Sequence, residues 1–341
     1  MITVYSDDHH HQDAQSELTG GQLVPPYDNP RRADVVLAHI QQTNLGAIVP
    51  PEQFGLEPIL RVHDPKFVDF LQTAWQDWVA EQGEQDALPL NWATRTMRHD
   101  RIPETIEGKL SYYSFDAGTP IIAGTWQAAT AAANVALTGQ KLLQEQRKVF
   151  ALCRPPGHHA ARDFYGGYCF LNNAAIAAQA LRDQGAERVA VFDVDYHHGN
   201  GTQAIFYDRS DVLFVSIHAH PSQSFPYFLG FDDETGTGAG EGYNRNYPLQ
   251  VGTDWAAYSP TLANAIQQIH NYSPDALVVS LGVDTFEHDP ISEFRLTSED
   301  YCRMGEAIAQ LQQPTLVVME GGYAIEQIGM NVVNFLQGLA S

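Results

Sequence analysis

Short apolar runs alternating with helical stretches constrain this chain more than any other feature. The runs fall at Ile2–Ser6, Ala47–Pro50, Lys148–Leu152, Arg188–Phe192, Val212–Ile217, Ala276–Gly282 and Thr315–Met319. Helical stretches lie among them, notably Trp126–Gln146, Asn172–Gln184, Trp255–Asn271, Ser298–Gln312 and Ile325–Leu339. Strand alternating with helix predicts an α/β fold, a parallel β-sheet with helices on both faces. With 341 residues, 44% of them hydrophobic, the chain can build one large core, so residues 1–341 are read as a single domain. The segment Glu81–Pro120 mixes charges, aromatics and proline without clean periodicity. It is expected to be an inserted surface loop that carries specificity or a homodimer contact.

Charge and composition remove several function classes. Lys and Arg number 19 against 41 Asp and Glu, a formal net charge of −22. Nucleic acid is excluded as a partner, because phosphates are bound by Lys and Arg. Solubility and adaptation to salt account for most of such acidity, and a cationic substrate is compatible with it. No apolar stretch approaches the length of a membrane span. The opening MITVYSDDHHHQD lacks a basic region followed by an apolar one, so the expected location is the cytoplasm. Three scattered cysteines, Cys153, Cys169 and Cys302, are too few for a disulfide framework or a thiolate zinc site, and core packing is their expected role.

Four of the apolar runs end in polar clusters. Arg188–Val191 reads RVAV, of the kind found in buried parallel strands, and Asp193, Asp195 and His197 then follow at every second position. Period-two spacing at a strand end throws such side chains to one face. Lys148–Leu152 leads into CRPPGHHA with His158 and His159; Ala276–Gly282 leads into Asp284; Thr315–Met319 leads into EGGY with Tyr323. Carboxyl ends of parallel strands are where α/β proteins place their sites.

Asp195, His197 and Asp284 supply two carboxylates and an imidazole, a ligand set that leaves positions open for water and substrate. Zinc is the first choice, and Fe(II), Co(II) or Mn(II) also suit oxygen-rich ligands. His198 should point the other way and is read as structural. His158 and His159 follow a rigid Pro-Pro-Gly turn, and a histidine near an activated water can act as general base and then acid. Each imidazole needs an orienting partner, for which Asp193 and Asn200 are candidates. The carboxylate raises the basicity of its histidine, whereas the amide leaves it lower. Tyr323, behind Gly321-Gly322, can donate to a carbonyl oxygen as that oxygen takes charge.

RPPGHHA, FDVDYHHGNGTQ, SLGVDTFEHDP and MEGGY resemble the metal-dependent deacetylases of the arginase–deacetylase superfamily, and the likeness runs from the first strand almost to the last helix. HHGNG, with Asn200 in place of an acid, is similar to the class II histone deacetylases. ELTGGQLVPPYDNP, HDRIPETIEG and FPYFLG look most like bacterial acetylpolyamine amidohydrolases. The resemblance implies the arginase–deacetylase fold, zinc on Asp195, His197 and Asp284, acid and base at His158 and His159, and a polarising Tyr323. It also implies an aromatic tunnel walled by Tyr168 and Phe225 beside Gly167, and a structural potassium ion (K+) near Asp193 and Ser216. The distal amine of a substrate would meet acids such as Glu17 and Glu107. A further family acid falls here on Gly118, with Asp116 close by, which is a departure from the pattern.

The reading that follows is a zinc-dependent deacetylase of small cationic N-acetylated amines, acetylpolyamines or acetylated diamines. A broader acetyl-lysine deacetylase and a non-catalytic amine sensor are the rivals. A two-metal arginase-like hydrolase fits poorly, since the ligand set suits a single catalytic ion.

Overall fold

In the computed structural model, which describes residues 1–341, ten strands form. They are β1 (Ile2–Val4), β2 (Glu17–Thr19), β3 (Gln22–Val24), β4 (Ile48–Val49), β5 (Lys148–Ala151), β6 (Val189–Asp193), β7 (Val212–Ala219), β8 (Asn244–Leu249), β9 (Ala276–Leu281) and β10 (Thr315–Met319). The helices are α1 (Arg31–Gln42), α2 (Glu57–Leu60), α3 (Pro65–Gln82), α4 (Ile106–Tyr113), α5 (Thr125–Leu142), α6 (Asn173–Asp183), α7 (Asn200–Phe206), α8 (Trp255–Tyr272), α9 (Ser298–Ala309) and α10 (Ile328–Ala340). Eight strands make one sheet in the order β4-β1-β5-β10-β9-β6-β7-β8, and every pairing in it is parallel. The hairpin β2–β3 stands apart, turning at Gly20-Gly21, both with positive φ.

Alternate residues of one strand serve opposite layers. Val149 and Ala151 face a core shared with α5 and α6, while Phe150 and Leu152 face one shared with α1, α8, α9 and α10. The two cores hold 41 and 36 buried residues, so neither face of the sheet meets water. Local capping sets the helix starts. Asn172 accepts from Ala175 N at α6, and Thr297 with Asp300 forms a reciprocal capping box at α9.

The sequence-based strands all form, with ends shifted by one or two residues. β8, reading NRNYPL, was not among them; it is a half-buried edge strand without an apolar run. The helices α1 to α4 and α7 were not anticipated either. α10 begins at Ile328 rather than Ile325, because Ala324–Gln327 makes the turn that carries the chain away from Tyr323. Within Glu81–Pro120 the chain is mostly irregular but contains α4, capped by Thr105. Cys153 and Cys169 are buried, whereas Cys302 is partly exposed on α9, so core packing describes only the first two. No helix is long and apolar enough to cross a membrane.

His63 ties the outer layer to the loop that carries the paired histidines. Its Nδ1–H donates to Ala161 O at 2.8 Å, and its Nε2 accepts from Asn172 N at 3.0 Å. Burial lowers its pKa from 6.5 to about 4. The folded protein therefore resists a proton that the unfolded chain takes up. Stability is full above the ordinary histidine range and falls as pH drops towards 4, by about 2–3 kcal/mol between pH 7.5 and 4.5. Urea midpoints for wild type and His63→Gln should show that slope reduced in the variant; identical slopes would contradict it.

Candidate active site

The four polar clusters belong to β5, β10, β9 and β6, the four adjacent strands at the centre of the sheet. Parallel pairing aligns their carboxyl ends, so short segments beyond them converge without long excursions. Asp195, His197 and Asp284 come together with ligand atoms all within 4.8 Å of one another, every one buried. His197 Nδ1 lies 2.9 Å from Asp284 Oδ2 and 3.3 Å from Asp195 Oδ1. Backbone amides fix the carboxylates: Tyr196 N donates to Asp284 Oδ1, and Gly321 N to Asp195 Oδ2.

This donor set fits a cation. Burial and the Asp195 charge push Asp284 up to about 6, while Asp195 is held well below the usual carboxylate range against its own burial, first by His158. Two buried carboxylates this close cannot both stay ionised without positive charge between them. Gly321 keeps that space clear: a Cβ there would stand 2.6 Å from both Asp195 Oδ2 and Asp284 Oδ2.

The two histidines of the β5 loop differ by their partners. His158 Nδ1 donates to Asp193 Oδ2 at 2.9 Å, and His159 Nδ1 donates to Asn200 Oδ1 at 2.7 Å. Burial opposes a charged His158, but Asp195 and Asp193 outweigh it and push its pKa up to about 10. Burial, with the neighbouring His158 charge, holds His159 well below the ordinary range. His159 lines the cavity above the carboxylates, with Nε2 free; His158 does not line it.

That cavity has a volume of about 420 Å³. Tyr168, Phe225, Gly167 and Asp116 line it, together with Tyr323. Phe225 stands edge-on to His159 with ring centres 5.2 Å apart, and Tyr168 edge-on to Tyr323 at 5.6 Å. Gly167 and Tyr168 both take left-handed backbone, φ 56 and 66, and a Cβ on Gly167 would run into the His159 ring. The three candidate amine-binding acids lie in different settings. Asp116 borders the cavity but accepts from Gly118 N, Thr119 Oγ1 and Gly167 N. Glu17 is buried behind Tyr168, accepting its hydroxyl at 3.1 Å and Tyr27 N at 3.1 Å. Glu107 is exposed on α4 and does not line this cavity. His198 turns away from the site, 2.9 Å from Gln203 Oε1. Asp193 and Ser216 face one another across the β6–β7 register.

Several site residues were not singled out from the sequence. Arg32 of α1 donates through Nε to Gly322 O and through Nη2 to Glu320 O, both at 2.6 Å, and pairs with Asp28 at 2.5 Å. Its guanidinium lies 4.6 Å from the centre of the Tyr323 ring. Asp289 accepts from Tyr323 N at 2.7 Å, and Glu320 accepts from Gly157 N and His158 N. Tyr227 and Ile291 also line the cavity. A buried arginine within a polar helix turn gives no local signal, although EGGY and EHDP do contain Glu320 and Asp289.

The sequence model of the histone deacetylase domain matches residues 26–339. The chain is 62% identical over 339 residues to acetylpolyamine amidohydrolase 2 of Pseudomonas aeruginosa, covering 99% of this chain and 98% of that one. It is 48% identical over 341 residues to the acetylpolyamine amidohydrolase of Mycoplana ramosa, covering 100% of both. Among solved structures, the acetylpolyamine aminohydrolase of Burkholderia pseudomallei superposes with a TM-score of 0.96 at 38% identity, covering 100% of this chain and 99% of that one.

Proposed function

Since this chain belongs to the histone deacetylase domain family, a family of metal-dependent hydrolases, we propose that it cleaves the acetamide of acetylpolyamines or acetylated diamines to acetate and free amine. The observation that carries the reading is the aromatic cavity that reaches the Asp195, His197 and Asp284 cluster through His197, with His159 and Tyr323 in its wall. Those three residues would hold zinc, with Fe(II), Co(II) or Mn(II) as alternatives. Bound there, the ion would polarise the acetamide carbonyl and make a water more acidic.

The chain's own groups do the rest. His159 Nε2 takes a proton from the attacking water and returns it to the leaving amine nitrogen. Burial and the neighbouring His158 charge keep that imidazole neutral beforehand, and Asn200 orients it. His158, held to the Asp193 carboxylate, keeps positive charge beside the reacting centre. Tyr323 donates its phenolic hydrogen to the carbonyl oxygen as charge develops. Tyr168 and Phe225 flank the methylene chain and exclude bulk. A structural potassium ion at Asp193 and Ser216 belongs to the same proposal.

The substrate is a small cation, and the protein acts in the cytoplasm as a homodimer. Exposed Leu90 and Met97 in the inserted segment suit a second copy, which would cover them and close the tunnel mouth. Turnover of acetylputrescine, acetylspermidine and an acetyl-lysine peptide tests the reading. The two amines should show the higher kcat/KM; preference for the peptide would overturn the small-amine assignment. Glu107→Ala should raise KM for acetylpolyamines several-fold, the scale of an exposed ion pair, and hardly alter an uncharged acetamide of equal length. Equal losses on both would remove Glu107 from amine recognition.

A further inference from the structure

Far from β6 and β9 in the sheet, a second group of donors meets as closely as the active-site cluster does. His9 and His10 belong to a 3-10 turn, Asp7–His11, that follows β1, and Asp34 lies on α1. His10 Nε2 is 3.1 Å from Asp34 Oδ1, and His9 Nε2 is 3.4 Å from the same oxygen. Ligands bonded at about 2.0–2.1 Å to a tetrahedral ion stand about 3.3 Å from one another. The two histidine–carboxylate spacings are close to those of a coordination shell, and all three ligand atoms lie within 4.8 Å of one another.

The ring nitrogens face the right way. His10 Nδ1 donates to Asp7 O at 2.9 Å, which leaves Nε2 as a lone pair towards Asp34. His9 is buried, and its Nδ1 makes no hydrogen bond, so its tautomer is set by what meets Nε2. Tyr5 Oη is hydrogen-bonded to His9 Nε2 at 2.9 Å, and an ion taking that nitrogen would displace the hydroxyl from it. His10 and Asp34 are each almost half exposed, which opens a path for an ion from solvent.

We propose that His9, His10 and Asp34 form a second divalent-metal site, separate from the catalytic cluster, that takes a borderline transition ion such as zinc, cobalt(II) or nickel(II). An ion there staples the N-terminal turn to α1. Both parts lead to the active site: His9 O accepts from Arg154, the residue that opens the His158–His159 loop, and Arg32 of α1 holds the Tyr323 loop. The site thus braces the scaffold without touching substrate.

Metal content settles it. Full-length protein is equilibrated with zinc or cobalt(II), desalted and assayed by mass spectrometry for bound metal. Wild type should carry two equivalents, and His10→Ala and Asp34→Asn one each, with acetylputrescine turnover retained. His11→Ala, which alters a neighbouring exposed histidine, should still carry two. Anomalous scattering at the metal edge should place the second ion between the turn and α1. Two equivalents in His10→Ala, or one in wild type that survives His10→Ala, would overturn the proposal. A single equivalent lost on His10→Ala but kept by Asp284→Asn would support this site and count against the catalytic one.

Discussion

Replacing Asp284 with Asn is expected to abolish hydrolysis while the fold survives. Asn keeps the size of the side chain and still offers an oxygen to Tyr196 N, so the local backbone bond is preserved. What disappears is the charge that pairs with Asp195 around a cation. Loss of groups that merely orient ligands typically costs about 10–100-fold in metal affinity or activity, and loss of a ligand itself should exceed that. Chelation of the wild type should have the same effect, reversed by zinc or cobalt. Activity, metal content and thermal midpoint together decide the outcome. Normal turnover in protein free of metal would end the metal mechanism.

The visibility of that cluster in sequence has a physical origin. Central parallel strands are buried on both faces, so β5, β6, β9 and β10 read as apolar runs, and the polarity change at their ends marks where burial gives way to chemistry. Asp193, Asp195 and His197 sit within five residues, where spacing alone indicates a shared face. β8 lies at the edge, half-buried, and carries polar residues that hide it. Arg32 escapes for another reason. Its partners, Glu320 and Gly322, are 288 and 290 residues away, and no local pattern encodes a contact of that range. Glu17 was legible as an acid, but that it accepts the Tyr168 hydroxyl emerges only once the β2–β3 hairpin packs beside the tunnel.

The second large effect concerns Tyr323. Phe in its place keeps the ring against Tyr168 and over Arg32 but removes the hydrogen-bond donor. kcat should fall about 10²–10³-fold, the usual cost of losing one oxyanion donor, with substrate affinity largely kept. Stopped assays of kcat and competition by a non-hydrolysed amine separate the two quantities. An unchanged kcat would make Tyr323 a packing residue. A matching fall in affinity would show that the hydroxyl binds the ground state as strongly as the transition state.

β10 lies between β5 and β9, in the middle of the sheet, yet it comes after every other strand of that sheet in chain order. Without it, the inner edges of β5 and β9 would have no partner, and unpaired edges are templates for pairing with the wrong chain. The same strand leads into Glu320, Gly321 and Tyr323, so the proposed site is not assembled before the sheet is closed. Chaperone demand during synthesis and the onset of catalysis are thereby tied to one event, the insertion of a five-residue strand.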